Sequence, residues 1–265
     1  MHDPRQAKRL SARDVRALTF IGEGFEVAQY QLHAAIFPAV SPVMVSHFVK
    51  RSLTSGLIAV ERWNRVGINR LRLTETGRRT LATVGVDPVS LFAPRRPVAT
   101  KDVAHTLWIN DLRVAFMKSE RPFDSILPAW QLQRRLSPPP AAIPDVLAIR
   151  KDDGRHSGFV CACEVDLGGE RLSKIFLPKL VKLSGLVRLW SGDSRSAVIV
   201  LTRGAHRAAS IREMLTSVLG DRMQATVREL PSGDGVDGLL ALTEAVAAAL
   251  HDPLRRVNGS NHLCR

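Results

Sequence analysis

Three cysteines in 265 residues, Cys161, Cys163 and Cys264, are too few and too odd in number for a disulfide framework. They fit a reducing cytoplasm, where the chain is expected to work. No stretch approaches the roughly 20 apolar residues of a membrane span, so no membrane partner is expected. The opening stretch MHDPRQAKRL has no apolar core, and no secretory signal is expected from it. Acids are few against bases: 25 Asp and Glu face 38 Lys and Arg, leaving a charge of +13. That balance points to a polyanionic partner, nucleic acid before an anionic membrane surface. Most of the cations are Arg, which grips phosphate as a planar fork. Aromatic residues make up only 5% of the chain. What is present in quantity is length, enough for two domains.

The first domain is expected over 10–86. Ser11 and Asp14 have the spacing of a helix start, and Val15, Leu18 and Ile21 form its apolar stripe before Gly22 and Gly24. A second helix is expected from Val27 to Phe37, with Leu32, Ala35 and Ile36 inward and Pro38 as its stop. Ser41-Pro42 opens a third, running to about Thr54, with Val43, Val45, Phe48, Val49 and Leu53 apolar. Leu57 to Trp63 and Ile68 to Leu73 read as two strands about a turn at 64–67. Leu73, Thr74, Gly77 and Leu81 begin a closing helix. This succession resembles the winged helix-turn-helix domain. The resemblance implies double-stranded DNA as partner, with the third helix in the major groove. Val43, Met44, Ser46 and His47 are then candidate base readers. Lys50, Arg51, Arg62, Arg65, Arg70 and Arg72 are candidate phosphate contacts.

Residues 87–101, with three prolines from Pro88 on, read as a linker. The second domain is expected over 102–250, with a tail over 251–265. Asp102 opens a helix to about Lys118, and Trp130 to Leu136 reads as the first strand. Val146 to Ile149 and Phe159 to Val165 read as a hairpin about a polar turn at 151–158. A helix from Arg171 to about Leu189 carries Ile175, Leu180, Leu183 and Val187 towards the sheet, with Pro178 as a kink or break. Ser196 to Leu201 is a buried parallel strand. A helix (205–219), a strand (223–230) and a last helix (238–250) follow. The order is that of an α/β sandwich with a mixed central sheet.

On the second strand Phe159, Cys161, Cys163 and Val165 share one face, and Val160, Ala162, Glu164 and Asp166 the other. The cysteines read as small core residues. Two carboxylates on one face repel unless a cation joins them, and Asp145 opens the neighbouring strand. Three converging oxygen ligands, Asp145, Glu164 and Asp166, suit Mg²⁺ or Mn²⁺. Pro144-Asp145 and Glu164 resemble the PD-(D/E)xK, restriction-endonuclease-like nucleases, which implies a restriction-endonuclease-like α/β fold and a catalytic metal. The family's Lys is replaced by Asp166. Either a Lys reaches in from the next helix, Lys179 first with Lys174 and Lys182 behind it, or the site is weak or inactive.

Together the two domains resemble the replication-relaxation family of bacterial mobile elements. The resemblance rests on His105, Leu107, Asn110 and Asp111, Pro144-Asp145, Glu164-Val165-Asp166 and Lys179-Leu180. It implies a role in plasmid replication, relaxation or mobilisation, with DNA nicking by a Mg²⁺- or Mn²⁺-dependent endonuclease. A non-catalytic regulator, or a replication or transposition accessory, is the alternative. It leaves room for a homodimer and for mobile-element protein partners. His105 is a candidate base or metal-water orienter, and Glu170 a further candidate ligand. The single tyrosine, Tyr30, lies in the winged helix, which favours hydrolysis over a tyrosine-linked intermediate.

Overall fold

Ser11 starts α1 (Ala12–Glu23) through a reciprocal cap: its hydroxyl accepts from Asp14 N–H, and the Asp14 carboxylate accepts from Ser11 N–H, both at 3.1 Å. This computed structural model describes residues 10–258 except 64–66, 95–96, 139, 153–157, 170, 192–194, 220–223 and 232–234. By contacts the chain divides into two compact units, 1–110 and 111–265.

In the first unit α1 is followed by β1 (Val27–Ala28), α2 (Gln29–Ile36), α3 (Pro42–Thr54), β2 (Ile58–Trp63), β3 (Ile68–Leu73) and α4 (Glu75–Thr83). The three strands form an antiparallel sheet in the order β1-β3-β2. The second helix starts two residues later than expected. Val27 and Ala28 pair with β3, and the Gln31 side chain accepts from Ala28 N–H at 2.8 Å, fixing the helix start behind them. Leu18, Ile21, Leu32, Phe48, Leu71, Leu73 and Leu81 are buried at the centre. Two expected apolar positions of α3, Val43 and Leu53, are exposed instead.

The Thr74 and Gly77 spacing has a direct cause. Thr74 Oγ1 accepts from Gly77 N–H at 3.0 Å to cap α4 and donates to Gly56 O at 2.6 Å. This brings Gly77 so close to the Leu57 carbonyl that a Cβ would collide with it.

The stretch expected as a linker is fastened to the first unit. Leu91 is buried, Phe92 N–H donates to Gly22 O at 2.8 Å, and Val98 N–H donates to Glu26 Oε1 at 2.7 Å. Within α5 (Thr100–Met117), Asn110 Nδ2 donates to Gly24 O at 2.9 Å and Glu26 O at 2.7 Å. The division of the chain accordingly falls after Asn110, inside α5, and not within 87–101.

The second unit continues with β4 (Ser125–Pro128), α6 (Ala129–Arg135), β5 (Val146–Arg150), β6 (Phe159–Asp166), a π-helical turn (Leu172–Phe176), α7 (Leu177–Ser191), β7 (Arg195–Thr202), α8 (Ala205–Leu219), β8 (Gln224–Glu229) and α9 (Gly235–Asn258). Its mixed sheet has the order β4-β5-β6-β7-β8, antiparallel across β4, β5 and β6 and parallel across β6, β7 and β8. Residues 130–136 alternate like a strand but form α6. The edge of the sheet is taken by Ser125–Pro128, registered from Ser125 opposite Ile149 to Pro128 opposite Val146. Pro128 lacks an N–H and ends that edge strand, and the Ala-Trp-Gln-Leu-Gln-Arg-Arg run after it is rich in good helix formers. The expected turn at 151–158 lies largely outside the described residues.

Leu147, Val160, Ala162, Val198 and Val200 face α7 and α8 through Leu180, Leu183, Val187, Ala208, Ile211 and Leu215. On the other side Phe159 is 6.3 Å from the Phe123 ring, which meets Phe116 edge-on at 5.1 Å. Cys161 and Cys163 are buried on that side of β6, as small core residues. Ile175, expected to face the sheet, is 51% exposed because the π turn shifts the helical phase ahead of α7. Pro178, expected as a kink or break, is the second residue of α7, at the junction with the π turn, and α7 continues past it to Ser191. α9 runs past the expected end at Leu250 to Asn258. Among the described residues no helix is long and apolar enough to cross a membrane.

Candidate functional site

Val146 pairs with Cys163 and Leu147 with Ala162, so one further step of the same register sets Asp145 opposite Glu164. Strand alternation places Asp145 on the side of Leu147, and Glu164 and Asp166 on the side of Ala162, which is the face covered by α7 and α8. Asp145, Glu164 and Asp166 are 6%, 1% and 4% exposed, so each carboxylate needs a partner. Asp145 Oδ2 accepts from Val165 N–H at 2.8 Å, standing in for a strand carbonyl just beyond the end of β5. Glu164 Oε2 accepts from Lys179 Nζ at 2.5 Å. Asp166 accepts from Arg207 through both its oxygens, from Thr202 Oγ1 at 2.7 Å and from Gly168 N–H at 3.0 Å. Burial pushes the Asp166 carboxyl up, but Arg207, Thr202 and the Gly168 N–H outweigh it and hold it below the usual range.

Lys179 lies on α7 just past the π turn that leads into it, and Arg207 occupies the first turn of α8. A cation in the first turn of α8 opposes the helix dipole, at a cost of order 0.3–1 kcal/mol. The buried acids compensate: each helix delivers one cation to one β6 carboxylate. Lys174 and Lys182, the other lysines considered, are exposed, Lys174 on the π turn and Lys182 on α7. Arg207 escaped the sequence reading. Its one local signal is a cation in the first turn of a helix that follows a buried strand.

These contacts set the Asp145, Glu164 and Asp166 carboxylates apart by their partners. Asp166 is committed to Arg207, and among the described residues no three His, Cys, Asp or Glu side chains gather to hold an ion. Asp145 and Glu164 remain. Two carboxylates fit Mg²⁺, which takes one or two from protein and keeps several waters. A carboxylate offers about four acceptor sites, and the Val165 N–H takes one of those of Asp145. His105 belongs to the first unit, while this cluster is built wholly from the second. Glu170 lies outside the described residues.

In the first unit the expected DNA-binding residues separate into two groups. His47, Lys50 and Arg62 are exposed. Arg51, also exposed, pairs with Asp14 at 2.6 Å and lies over the Phe48 ring. Arg65 lies outside the described residues. Arg70 is corrected: it is 9% exposed and bonded to Glu26 at 2.7 Å and Glu61 at 3.3 Å. Arg72 bonds Glu61 at 3.3 Å and Pro94 O at 2.8 Å. Both turn inward because Glu26 and Glu61 supply carboxylates beside β3, so they fasten the unit and do not reach for phosphate. Ser46 is exposed but engaged: it donates to Pro42 O at 3.2 Å and accepts from Gln29 Nε2 at 3.0 Å, while Gln29 accepts from Asn69 at 3.1 Å.

Comparison with protein-family models, curated proteins and solved structures returned no match for this chain.

Proposed function

We propose that this is a DNA-binding protein of a plasmid or other mobile element whose second unit hydrolyses a phosphodiester bond. In this reading the first unit is a winged helix-turn-helix and the second a restriction-endonuclease-like domain. One observation carries it: Asp145 and Glu164 share a face across β5 and β6, with Lys179 bonded to Glu164. Asp145 and Glu164 would hold Mg²⁺ or Mn²⁺. Bound there, the ion would supply Lewis-acid polarisation and a more acidic water. Lys179 stands where its charge can stabilise negative charge gathering on a phosphoryl group. Asp166 and Arg207 brace β6 against α8, so Arg207 is a positioning residue.

A nicking assay on supercoiled plasmid with Mg²⁺ or Mn²⁺, paired with calorimetric titration of the metal, tests the reading. Loss of both cleavage and metal uptake in Asp145→Ala and Glu164→Ala is expected. Equal behaviour of wild type and both variants would sink the enzymatic claim. A second reading, a non-catalytic regulator or accessory, is favoured by the neutralisation of Glu164 by Lys179 and of Asp166 by Arg207. Binding of a defined duplex with no metal uptake by the wild type would establish it instead.

A further inference from the structure

The exposed side of α3 is apolar where it begins. Val43 and Met44, in its first turn, are 61% and 54% exposed. The hydroxyl beside them does not compensate, because Ser46 is already engaged by Pro42 O and Gln29. α3 contains no acid, and His47 and Lys50 continue its exposed side. Arg62 is exposed on β2. Two apolar side chains are far smaller than the roughly 800 Å² that each partner of a stable protein complex contributes, whereas cations without acids complement a phosphate backbone. In a major groove the one apolar feature of a base edge is the thymine 5-methyl group.

We propose that Val43 and Met44 read thymine methyl groups, making the preferred site of this protein thymine-containing at the base pairs facing the start of α3. The inference rests on the DNA-binding reading above and adds the chemical feature that is recognised. Specificity comes from apolar contact at this end of the helix, and Ser46 positions α3 against α2 and β3 through Gln29 and Asn69.

The test uses the full chain. A preferred duplex is selected from a random library, and each thymine is replaced in turn by deoxyuridine, which removes only the methyl. At one or two positions the wild type should bind the uracil duplex about three- to fivefold more weakly, the worth of one buried methyl. In Val43→Ala or Met44→Ala the difference at the corresponding position should vanish, while that at the other residue's position persists. Both residues are exposed, so the variants should fold. Equal wild-type affinity for thymine and uracil duplexes, or a methyl preference that survives both substitutions, overturns this inference and leaves DNA binding standing. Absence of any duplex binding overturns both.

Discussion

Replacing Arg70 by alanine separates a structural role from a DNA-binding one. Arg70 Nη1 lies 2.7 Å from Glu26 Oε2, with the two side chains 10% and 3% exposed. Burial already pushes the Glu26 carboxyl above its usual range, against the Val98 N–H and Arg70, which pull it down. Without Arg70 the carboxylate has two courses. It remains charged, at the ~3–5 kcal/mol typical of a broken buried pair, or it takes a proton. Protonating a carboxyl of ordinary pKa, about 4.3, at pH 7 costs about 3.7 kcal/mol, at ~1.36 kcal/mol for each of about 2.7 pH units. The expected loss is therefore about 3–4 kcal/mol at pH 7, a large part of the ~5–15 kcal/mol that holds a domain folded. Removing Arg70 raises the carboxyl further. A carboxyl raised in the folded state destabilises above its folded pKa, and the penalty fades as pH falls through that value. The deficit against wild type should shrink between pH 7 and about pH 4.5. Urea denaturation over that pH series, with hydrogen exchange of the β3 amides, measures it. Arg70→Ala/Glu26→Gln should recover part of the loss, since no charge is then stranded. The reasoning is refuted if Arg70→Ala is as stable as wild type at pH 7 while the slope of log affinity against log salt for duplex DNA drops by about 0.9, the signature of a lost phosphate contact.

Gly77→Ala should cost about 1–3 kcal/mol in thermal or urea unfolding, because its Cβ collides with the Leu57 carbonyl. Gly185→Ala on α7, where no atom lies within 4 Å of an added Cβ, should stabilise by about 0.5–1 kcal/mol. Arg207→Ala strands Asp166, and the sign follows from the lowered carboxyl. Its stabilisation is present above the unfolded value of about 3.9 and is lost as pH falls through the folded value. The gap between Arg207→Ala and wild type should be widest near neutral pH and close in acid, as read by denaturation at stepped pH.

The parts of the fold legible in the sequence are those whose causes are local. Ser11 with Asp14, Ser41 with Pro42, and the Thr74 and Gly77 spacing each mark a boundary through a residue's own backbone chemistry. Residues 130–136 misled because their alternation is a local signal, and a neighbouring segment outcompeted them for the sheet edge. The alternation of Arg70 and Arg72 reads as a solvent face until the hairpin register sets Glu61 opposite Arg70 and the chain before β1 brings in Glu26. At the candidate site, Asp145, Glu164 and Asp166 stand out because acids in apolar strands are costly. Arg207 does not, since 41 residues separate it from Asp166 and only the assembled α8 delivers it. The same contact ties Asp166 to α8.

The clasp of Val98 on Glu26 and of Asn110 on the turn after α1 bears on modularity. The N-terminal unit cannot be excised at the end of α4. A fragment stopping there would uncover Gly22, against which Leu91 packs, and deprive Glu26 of an amide donor. Any rearrangement that grafts this unit onto another protein has to carry the chain as far as Asn110, so shuffling would cut through a helix and not through the proline-rich stretch that looks like a natural seam.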